Sequence, residues 1–363
     1  MFNQRLRIVA LSIFFLLAGY STYHFVSASF CTTQTTQTIQ TIYGSVTVTE
    51  PVILELLASP AMERLKSINQ YGIVAVVKPE QMYTRYVHSL GVFYILRTFG
   101  ASLEEQVAGL LHDISHTAFS HVADFVHGTH LQKYSYQDEI FEWYLKETGL
   151  LAILQKHGLE RIAQYGKGVE YPILKCDLPG LCADRIEYNI YGGYLEGWIT
   201  QEQMRELVAH LHYQDGQWFF DDVASAKKYA KISVDLSVQN WSSAENAYLS
   251  TRAAQLLKQG FDKGIITKDD FHFSHDAAVL KKLADCKDAE IQDLIHKIYN
   301  HKTAYKAGTK AKHDLYFKGK FRGIDPQVKV DGQLIALSQL DSSYKEYMVA
   351  QHAACKEQFI VYT

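Results

Sequence analysis

Apolar residues recur every three or four positions along most of the chain, the spacing at which they line one face of a helix. The apolar residues that precede the polar pair His112-Asp113 follow this spacing: Leu103, Val107, Leu110 and Leu111. Strict alternation of polar and apolar residues, which is typical of a strand, is confined to short stretches such as Tyr43–Glu50. The pattern therefore predicts a mainly α protein with small β hairpins.

Three further helices are predicted over Tyr83–Phe99, Leu181–Tyr191 and Ala244–Gln259. Gln214–Asp221 predicts a hairpin, because Asp-Gly is a favoured two-residue turn between strands. Gly72–Lys78 is expected to be strand-like or a loop. The predicted organisation has four segments: a signal peptide or anchor over residues 1–28, a linker over 29–41, a core over 42–300 and a small α+β C-terminal appendage over 301–363.

The N-terminal segment has the layout of a secretory signal peptide. Arg5 and Arg7 precede the apolar run Ile8–Tyr20, and Phe25–Ser29 offers small residues at cleavage positions. The run is shorter than the ~20 apolar residues of a membrane-spanning helix. We expect an exported protein, periplasmic or secreted. Without cleavage, the same segment would anchor the protein in the membrane, with the catalytic part beyond it.

Composition and charge limit the class of partner. Hydrophobic residues make up 47% of the chain and charged residues 21%, as in a folded globular protein. The net charge of −3 gives no general attraction to nucleic acid, so a polyanionic ligand needs a local basic cluster. Eight Lys or Arg against two acids lie between Lys302 and Lys329. A run of this kind is usually a charged surface exposed to solvent. The more specific interpretation is that these side chains form a basic rim that binds phosphates.

A second concentration of polar residues lies between Arg85 and Asp124: His88, His112, His116, His121, Asp113 and Asp124. His112 and His116 are four residues apart, so we expect them one turn apart on one helix face. Later in the chain, Asp184 and Tyr188 share that spacing. A single His on an apolar helix is usually a core residue, but imidazoles and carboxylates together are the ligands that divalent first-row ions accept. A carboxylate buried in an apolar helix also needs a positive partner. The set predicts a metal site.

The order of these residues resembles the H…HD…D signature of the HD-domain metal-dependent phosphohydrolases, and is most similar to the deoxynucleoside triphosphate triphosphohydrolases among them. Four blocks carry the resemblance: R-L-K-S-I-N-Q-Y-G at Arg64–Gly72, R-x-x-H-S-L-G-V at Arg85–Val92, H-D-x-x-H-x-x-F-S-H at His112–His121 and D-R-x-x-Y at Asp184–Tyr188. The resemblance implies an HD-domain helical bundle. It also implies hydrolysis of a nucleotide, a dNTP, to deoxynucleoside and triphosphate.

The resemblance also implies the role of individual residues. One divalent metal ion would be held by His88, His112, Asp113 and Asp184, a set that suits iron, manganese, zinc, nickel or magnesium. The phosphates or sugar would be contacted by Arg85, Arg185 and Tyr188, and the sugar by Gln70. The residues beside the scissile phosphate would be His116, His121 and Asp124. The family also implies contacts between copies of the chain in a homo-oligomer.

The chain departs from the family in one block. Where the family has a W-x-H-E-x-x-S-like block with a proton-transferring His, Lys133–Ile140 reads K-Y-S-Y-Q-D-E-I and puts Tyr136 at that place. Tyrosine, with an unperturbed pKa of ~10, is a poorer acid at neutral pH than histidine. His127 and His130 lie nearby in the sequence. Two alternatives therefore stay open: an exported phosphatase or phosphodiesterase acting on other phosphoesters, and a metal- or nucleotide-binding HD module without turnover.

Overall fold

The computed structural model describes residues 36–130, 135–355 and 357–363, which belong to a single compact unit. The predicted signal or anchor segment lies outside the described residues. No helix within the described ranges is both long and apolar enough to cross a membrane. Helices dominate the described chain, as the apolar spacing predicts, and the strands are short.

The helices have the following bounds: α1 (Pro51–Leu57), α2 (Pro60–Leu65), α3 (Val74–Val77), α4 (Arg85–Thr98), α5 (Leu103–Leu111), α6 (Val122–His127), α7 (Tyr136–Glu147), α8 (Leu150–Lys156), α9 (Ala183–Leu195), α10 (Gln201–Ala209), α11 (Val223–Leu236), α12 (Ala244–Asp262), α13 (Lys268–Phe273), α14 (Asp276–Asp285), α15 (Ala289–Tyr299), α16 (Leu337–Leu340) and α17 (Ser342–Ala354). A π-helical turn, Ser237–Trp241, follows α11. The helices predicted from the sequence over 83–99, 181–191 and 244–259 correspond to α4, α9 and α12.

The strands have the following bounds: β1 (Gln37–Gln40), β2 (Ser45–Val48), β3 (Leu211–Gln214), β4 (Gln217–Phe220), β5 (Tyr305–Ala307), β6 (Leu315–Phe317), β7 (Gln327–Val330), β8 (Gln333–Ala336) and β9 (Gln358–Tyr362). They form a β1-β2 hairpin, a four-stranded sheet in the order β3-β4-β7-β8 and a three-stranded sheet in the order β5-β9-β6. The predicted Asp215-Gly216 hairpin is confirmed: both residues have positive φ, +52° and +79°, as a tight hairpin turn requires.

Three expectations need adjustment. Residues 37–40, expected in the linker, form β1, because Ile39 is buried and the strand pairs with β2. The expectation for Gly72–Lys78 was wrong, since Val74–Val77 is a short helix. The predicted appendage over 301–363 has α+β structure but shares a sheet with the core: β7 pairs in parallel with β4, with Phe219 opposite Gln327.

Two apolar cores meet along the stretch that carries the polar cluster. The first core includes Leu110, Leu111 and Ile114, and lies among α1, α4, α5, α9 and α11. The second includes Ala118 and Phe119 and lies among α6, α12, α14 and α15. The segment from His112 to His121 passes from one core to the other. Its polar side chains from His112 to Ser120 are therefore buried among packed helices, and His121 at its end is exposed.

Candidate metal centre and active site

The four predicted metal ligands converge from three helices. His88 lies on α4, which packs against both α5 and α9. His112 ends α5, Asp113 follows it, and Asp184 lies in the first turn of α9. His88 Nε2 lies 3.2 Å from His112 Nε2, 3.2 Å from Asp184 Oδ1 and 3.5 Å from Asp113 Oδ2. The structure thus brings together all four residues that the sequence singled out.

Both imidazoles are oriented by the ring nitrogen that faces away from this centre. His88 Nδ1 donates to Glu187 Oε2 at 2.5 Å, and His112 Nδ1 donates to the Gly109 carbonyl at 2.7 Å. With its one proton at Nδ1, a neutral imidazole presents its Nε2 lone pair to the inner side, which is the state that a metal-bound histidine adopts. Partners of this kind fix the tautomer and the plane of metal-binding histidines.

The centre concentrates negative charge in a buried place. His88, His112 and Asp113 are at most 4% exposed, and the Asp184 side chain is 21% exposed. Burial alone would lower the pKa of His88, but Glu187, Asp184 and Asp113 outweigh it and raise the pKa to about 10. Burial opposes ionisation of Asp113, yet Arg85 and the neighbouring imidazoles hold its pKa well below the usual range. Several buried carboxylates this close together need a cation to balance their negative charge.

The donor set fits a divalent ion. Two imidazole nitrogens and carboxylate oxygens are the ligands of zinc, iron and manganese sites, and no thiolate points to a softer ion. Within the described ranges, His88, His112 and Asp184 have donor atoms that all lie within 4.8 Å of one another. Asp113 lies beside this group, with Oδ1 3.6 Å from His112 Nε2.

The segment from His112 to His121 is not helical, and the prediction that His112 and His116 share a helix face was wrong. The chain leaves α5 at His112 and makes successive turns instead. Ser115 Oγ donates to the Gln137 carbonyl, and the Arg64 guanidinium donates to the carbonyls of Ile114 and His116. The Arg64 guanidinium thus replaces hydrogen bonds that these two carbonyls would have accepted in a continued helix.

Two consecutive residues of this segment, Phe119 and Ser120, have φ of +62° and +52°. This region is unfavourable for side chains other than glycine and is found at sites where the surroundings enforce it. In this protein the surrounding residues hold the turn, because Asp276 Oδ1 accepts a hydrogen bond from Phe119 N at 2.7 Å. Ser120 Oγ in turn accepts from Arg85 Nε at 3.0 Å and donates to the Asn69 carbonyl at 2.5 Å. The strained turn positions Arg85.

Three of the four predicted substrate-binding residues carry a buried polar atom with no hydrogen-bond partner among the described residues: Arg85 Nη2, Gln70 Oε1 and Tyr188 Oη. Arg85 is 2% exposed, and its Nη1 donates to Asp113 Oδ2 at 2.5 Å. Buried polar groups are nearly always paired in folded proteins, so such exceptions point to a missing ligand or water. The fourth residue, Arg185, follows Asp184 on α9. Its Nη1 donates to the Gly180 carbonyl at 2.8 Å and contacts Cys176 Sγ at 3.4 Å. Cys176 and Cys182 are free thiols.

His116 and His121 form a pair beside the centre, with ring centroids 4.9 Å apart. His116 Nε2 lies 3.3 Å from Asp113 Oδ1, and burial together with the Arg85 guanidinium lowers the pKa of His116 to about 3.

His121 is more open, with 53% of its side chain exposed, and its Nδ1 donates to Asp124 Oδ2 at 2.9 Å. Asp124 also accepts from Thr129 Oγ1 and from Tyr136 N. Burial would raise the pKa of Asp124, but His121 and these donors hold it below the ordinary value.

Tyr136 reaches this pair only through its backbone. Its hydroxyl is hydrogen-bonded to His272 Nε2 at 2.9 Å, and its ring stacks on His127 with centroids 3.8 Å apart. His130 stacks on Phe125, and its Nδ1 is buried without a partner among the described residues. The predicted proton-donor role of Tyr136 therefore stays a prediction.

The sequence interpretation missed Glu187. It is fully buried, and it accepts hydrogen bonds from Tyr43, Tyr83 and His88. The signal was present, because Glu187 follows Asp184 by three residues and an acid on the buried face of a helix needs partners. Its role in orienting His88 required the contact between α4 and α9, which no spacing reveals.

Comparisons with known proteins agree with this geometry. The HD-domain family model matches residues 85–188, from Arg85 to Tyr188. The chain is 30% identical over 316 residues to YdhJ of Bacillus subtilis, a match that covers 87% of this chain and 95% of YdhJ. It is 28% identical over 298 residues to the metal-dependent phosphohydrolase cns2 of Cordyceps militaris, covering 80% and 84%.

Other similarities are shorter or structural. The deoxynucleoside triphosphate triphosphohydrolase SAMHD1 of Danio rerio is 29% identical over 133 residues, 30% of this chain and 21% of SAMHD1. A phosphohydrolase from Bacteroides thetaiotaomicron has a similar structure, with a TM-score of 0.65, 16% identity and coverage of 90% of this chain and 100% of that one. A protein from Aquifex aeolicus has a TM-score of 0.66 at 19% identity, with coverage of 90% and 96%. At these identities the two structures show a shared fold. The HD-domain model, the near full-length match to YdhJ and the similarity to the phosphohydrolase cns2 establish that this chain belongs to the HD-domain family of metal-dependent phosphohydrolases.

Proposed function

We propose that this phosphohydrolase acts on nucleotides and cleaves a deoxynucleoside triphosphate to deoxynucleoside and triphosphate. The observation that carries the proposal is the set of unpartnered buried atoms, Arg85 Nη2, Gln70 Oε1 and Tyr188 Oη. A guanidinium suits a phosphate oxygen, and an amide oxygen and a phenol suit sugar hydroxyls. The shorter similarity to the triphosphohydrolase SAMHD1 supports the same substrate class.

His88, His112, Asp113 and Asp184 would hold one divalent ion, which supplies a Lewis acid for a phosphoryl oxygen and lowers the pKa of bound water. Arg85 is fixed by Asp113 and Ser120, so its free Nη2 is held ready for a phosphate oxygen. Electrostatic stabilisation is strongest when the donor is fixed before the reaction begins. Arg185, on the same helix as Asp184, would approach the phosphates or sugar from the other side.

Protons would be handled at His121. Its Nδ1 donates to Asp124, so Nε2 is the atom that would give a proton to a leaving oxygen when the imidazole carries its second proton. Asp124 is held in turn by Thr129 and by the backbone of Tyr136, so the imidazole has a defined orientation. His116, between His121 and Asp113, would contact the scissile phosphate.

A second candidate is hydrolysis of another phosphoester by a phosphatase or phosphodiesterase. The observation in its favour is the Tyr136 hydroxyl, which is bound to His272 and lies away from the His121–Asp124 pair. The near full-length similarity to the phosphohydrolase cns2 is compatible with either substrate class.

We also propose export or N-terminal anchoring, on the strength of Arg5, Arg7 and the apolar run that follows. Fractionation of cells that express the whole chain tests this, and recovery in the cytoplasm would refute it.

One experiment separates the catalytic candidates. Protein loaded with manganese, iron, zinc, nickel or magnesium is given dGTP, dATP or p-nitrophenyl phosphate, and the products are resolved by ion-exchange chromatography. We expect triphosphate and deoxynucleoside in equal amounts from the dNTPs. Orthophosphate as the main product would favour the second candidate. No turnover with any ion would favour a binding module. Asp113→Ala serves as the inactive control.

A further inference from the structure

The side chain of Asp276, the first residue of α14, holds together two distant parts of the chain. It is 4% exposed, and it is not needed to cap its own helix, because His275 Nδ1 accepts from Ala278 N there at 3.4 Å. Asp276 Oδ1 accepts from Phe119 N at 2.7 Å, and Oδ2 accepts from Asn69 N at 2.9 Å. These partners precede Asp276 by 157 and 207 residues. A buried carboxylate with two backbone donors of this kind fixes the geometry of both segments.

The two segments that Asp276 contacts are also bonded to each other. Ser120 Oγ, one residue after Phe119, donates to the Asn69 carbonyl at 2.5 Å. Asn69 Nδ2 donates to Asp276 Oδ2 at 3.2 Å, in addition to the bond from the Asn69 amide. The segments lie so close that an added β-carbon at Gly72 would be 2.5 Å from the Phe119 carbonyl oxygen. The carboxylate therefore closes a ring of hydrogen bonds through Phe119, Ser120 and Asn69.

Each segment carries or supports a residue of the proposed substrate site. Ser120 Oγ accepts from Arg85 Nε at 3.0 Å, and Gln70 directly follows Asn69. Arg85 Nη2 and Gln70 Oε1 are buried polar atoms without a partner among the described residues. The turn that supports Arg85 has two successive residues of positive φ, which persist only where the surroundings hold them. Loss of the Asp276 carboxylate would remove the contact that holds this turn and two contacts that hold the neighbour of Gln70.

We propose that Asp276 is a positioning residue for substrate binding: its carboxylate keeps Arg85 and Gln70 in the places from which they contact the substrate. This inference rests on the proposed function, because it takes both residues as substrate-binding. It adds to the site a residue far outside the segment that the HD-domain model matches, 85–188. Asp276 is not among the proposed metal ligands, so its loss should reduce ligand affinity at constant metal content.

The first test observes Arg85 directly. Asp276→Asn keeps the size of the side chain and exchanges one acceptor oxygen for an NH2 group, which cannot accept from a backbone N–H. The turn should then open more often and expose the Arg85 Nε–H to water. The exchange of this proton with water is measured by NMR of arginine Nε–H groups, with the signal assigned by Arg85→Lys. We expect exchange about ten-fold faster in Asp276→Asn, the factor usual for loss of a hydrogen bond to a charged group.

The second test measures ligand affinity, by isothermal titration calorimetry of the metal-loaded protein with inorganic orthophosphate. Orthophosphate is a fragment of every phosphoester, so the result does not depend on the identity of the substrate. We expect Asp276→Asn to bind it about ten-fold more weakly, with unchanged metal content by mass spectrometry. Asp325→Asn is the matched control, because Asp325 accepts from Ser338 N at 2.9 Å and from Ser338 Oγ at 2.6 Å. It should behave like the unmodified chain in both tests.

Faster exchange together with weaker orthophosphate binding would uphold the inference, even if dNTPs prove not to be substrates. If either quantity is unchanged in Asp276→Asn, changes equally in Asp325→Asn, or changes only because metal is lost, the inference is overturned, even if dNTPs are hydrolysed to triphosphate. Should Asp276→Asn fail to fold, Asn69→Ala takes its place, since it removes only the Nδ2 donor to Asp276. We expect both effects in Asn69→Ala at about two- to three-fold, and the absence of either would overturn the inference in the same way.

Discussion

Gly91 faces the carboxylate of Glu187 so closely that a β-carbon at position 91 would lie 2.4 Å from Glu187 Oε1. The glycine is in the interior of α4, where it weakens the helix relative to alanine. Glycine is required here because the Glu187 side chain, on the neighbouring helix α9, occupies the space that a side chain at position 91 would fill. Glu187 can then reach His88 and fix its metal-facing nitrogen.

Gly91→Ala is therefore expected to displace Glu187 and to weaken metal binding by about 10- to 100-fold, the effect usual for loss of a partner that orients a ligand. Metal affinity measured by competition with a chromophoric chelator checks this. Ser89→Ala, two residues away on the same helix, removes a hydroxyl with no partner among the described residues and should be neutral. Unchanged affinity in Gly91→Ala would show that Glu187 does not orient His88.

His88→Ala and Asp113→Ala are each expected to abolish metal retention and hydrolysis together. Each removes a donor from the centre, and loss of Asp113 also leaves the buried Arg85 guanidinium without its carboxylate. Metal content by mass spectrometry and hydrolysis are measured on the same samples. Asp177→Ala, an exposed carboxylate near α9, is the matched control. Full activity in either ligand variant would eliminate the proposed centre.

Tyr136→Phe is expected to keep turnover within about two-fold, because the hydroxyl is bound to His272 and not to the His121–Asp124 pair. Loss of that hydrogen bond should lower the free energy of unfolding by about 1 kcal/mol. His121→Ala, by contrast, should reduce turnover by about 100-fold or more. A comparable loss in Tyr136→Phe would establish the phenol as the proton donor.

Asp124→Asn is expected to lower the free energy of unfolding by about 1–2 kcal/mol at neutral pH, because the ionised carboxylate accepts hydrogen bonds from His121, Thr129 and Tyr136. The pKa of Asp124 is lower in the folded chain than in the unfolded one. Its contribution is therefore present above the unfolded pKa of ~3.9 and is lost as the pH falls through the folded value. Urea unfolding of both proteins should show a difference that narrows below about pH 4. A constant difference from pH 7 to acid would contradict this account.

The sequence was sufficient to predict the helical class and to single out the four residues that converge in the structure, for different reasons. Apolar spacing identified α4, α9 and α12, since each buries one face against a neighbour. The four residues were singled out because their order resembles a family signature. In contrast, the stretch after His112 has helix-compatible spacing but is turned by contacts from Arg64, Gln137 and Asp276, which are distant in the sequence.

Other features depend on contacts that no local pattern encodes. Glu187 acquires its role from the packing of α9 on α4. The segment between β6 and β7 acquires its position from Ser233 on α11 and Ser237 in the π-helical turn, which accept from the amides of Ile324 and Arg322.

The parallel pairing of β4 with β7 links residues more than a hundred positions apart along the chain. A protease that nicks the exposed turn around Lys310 would cut the polypeptide there, yet β7 and β8 would still be paired with the β3-β4 hairpin of the N-terminal fragment. The two fragments should migrate together under native conditions and come apart only in denaturant.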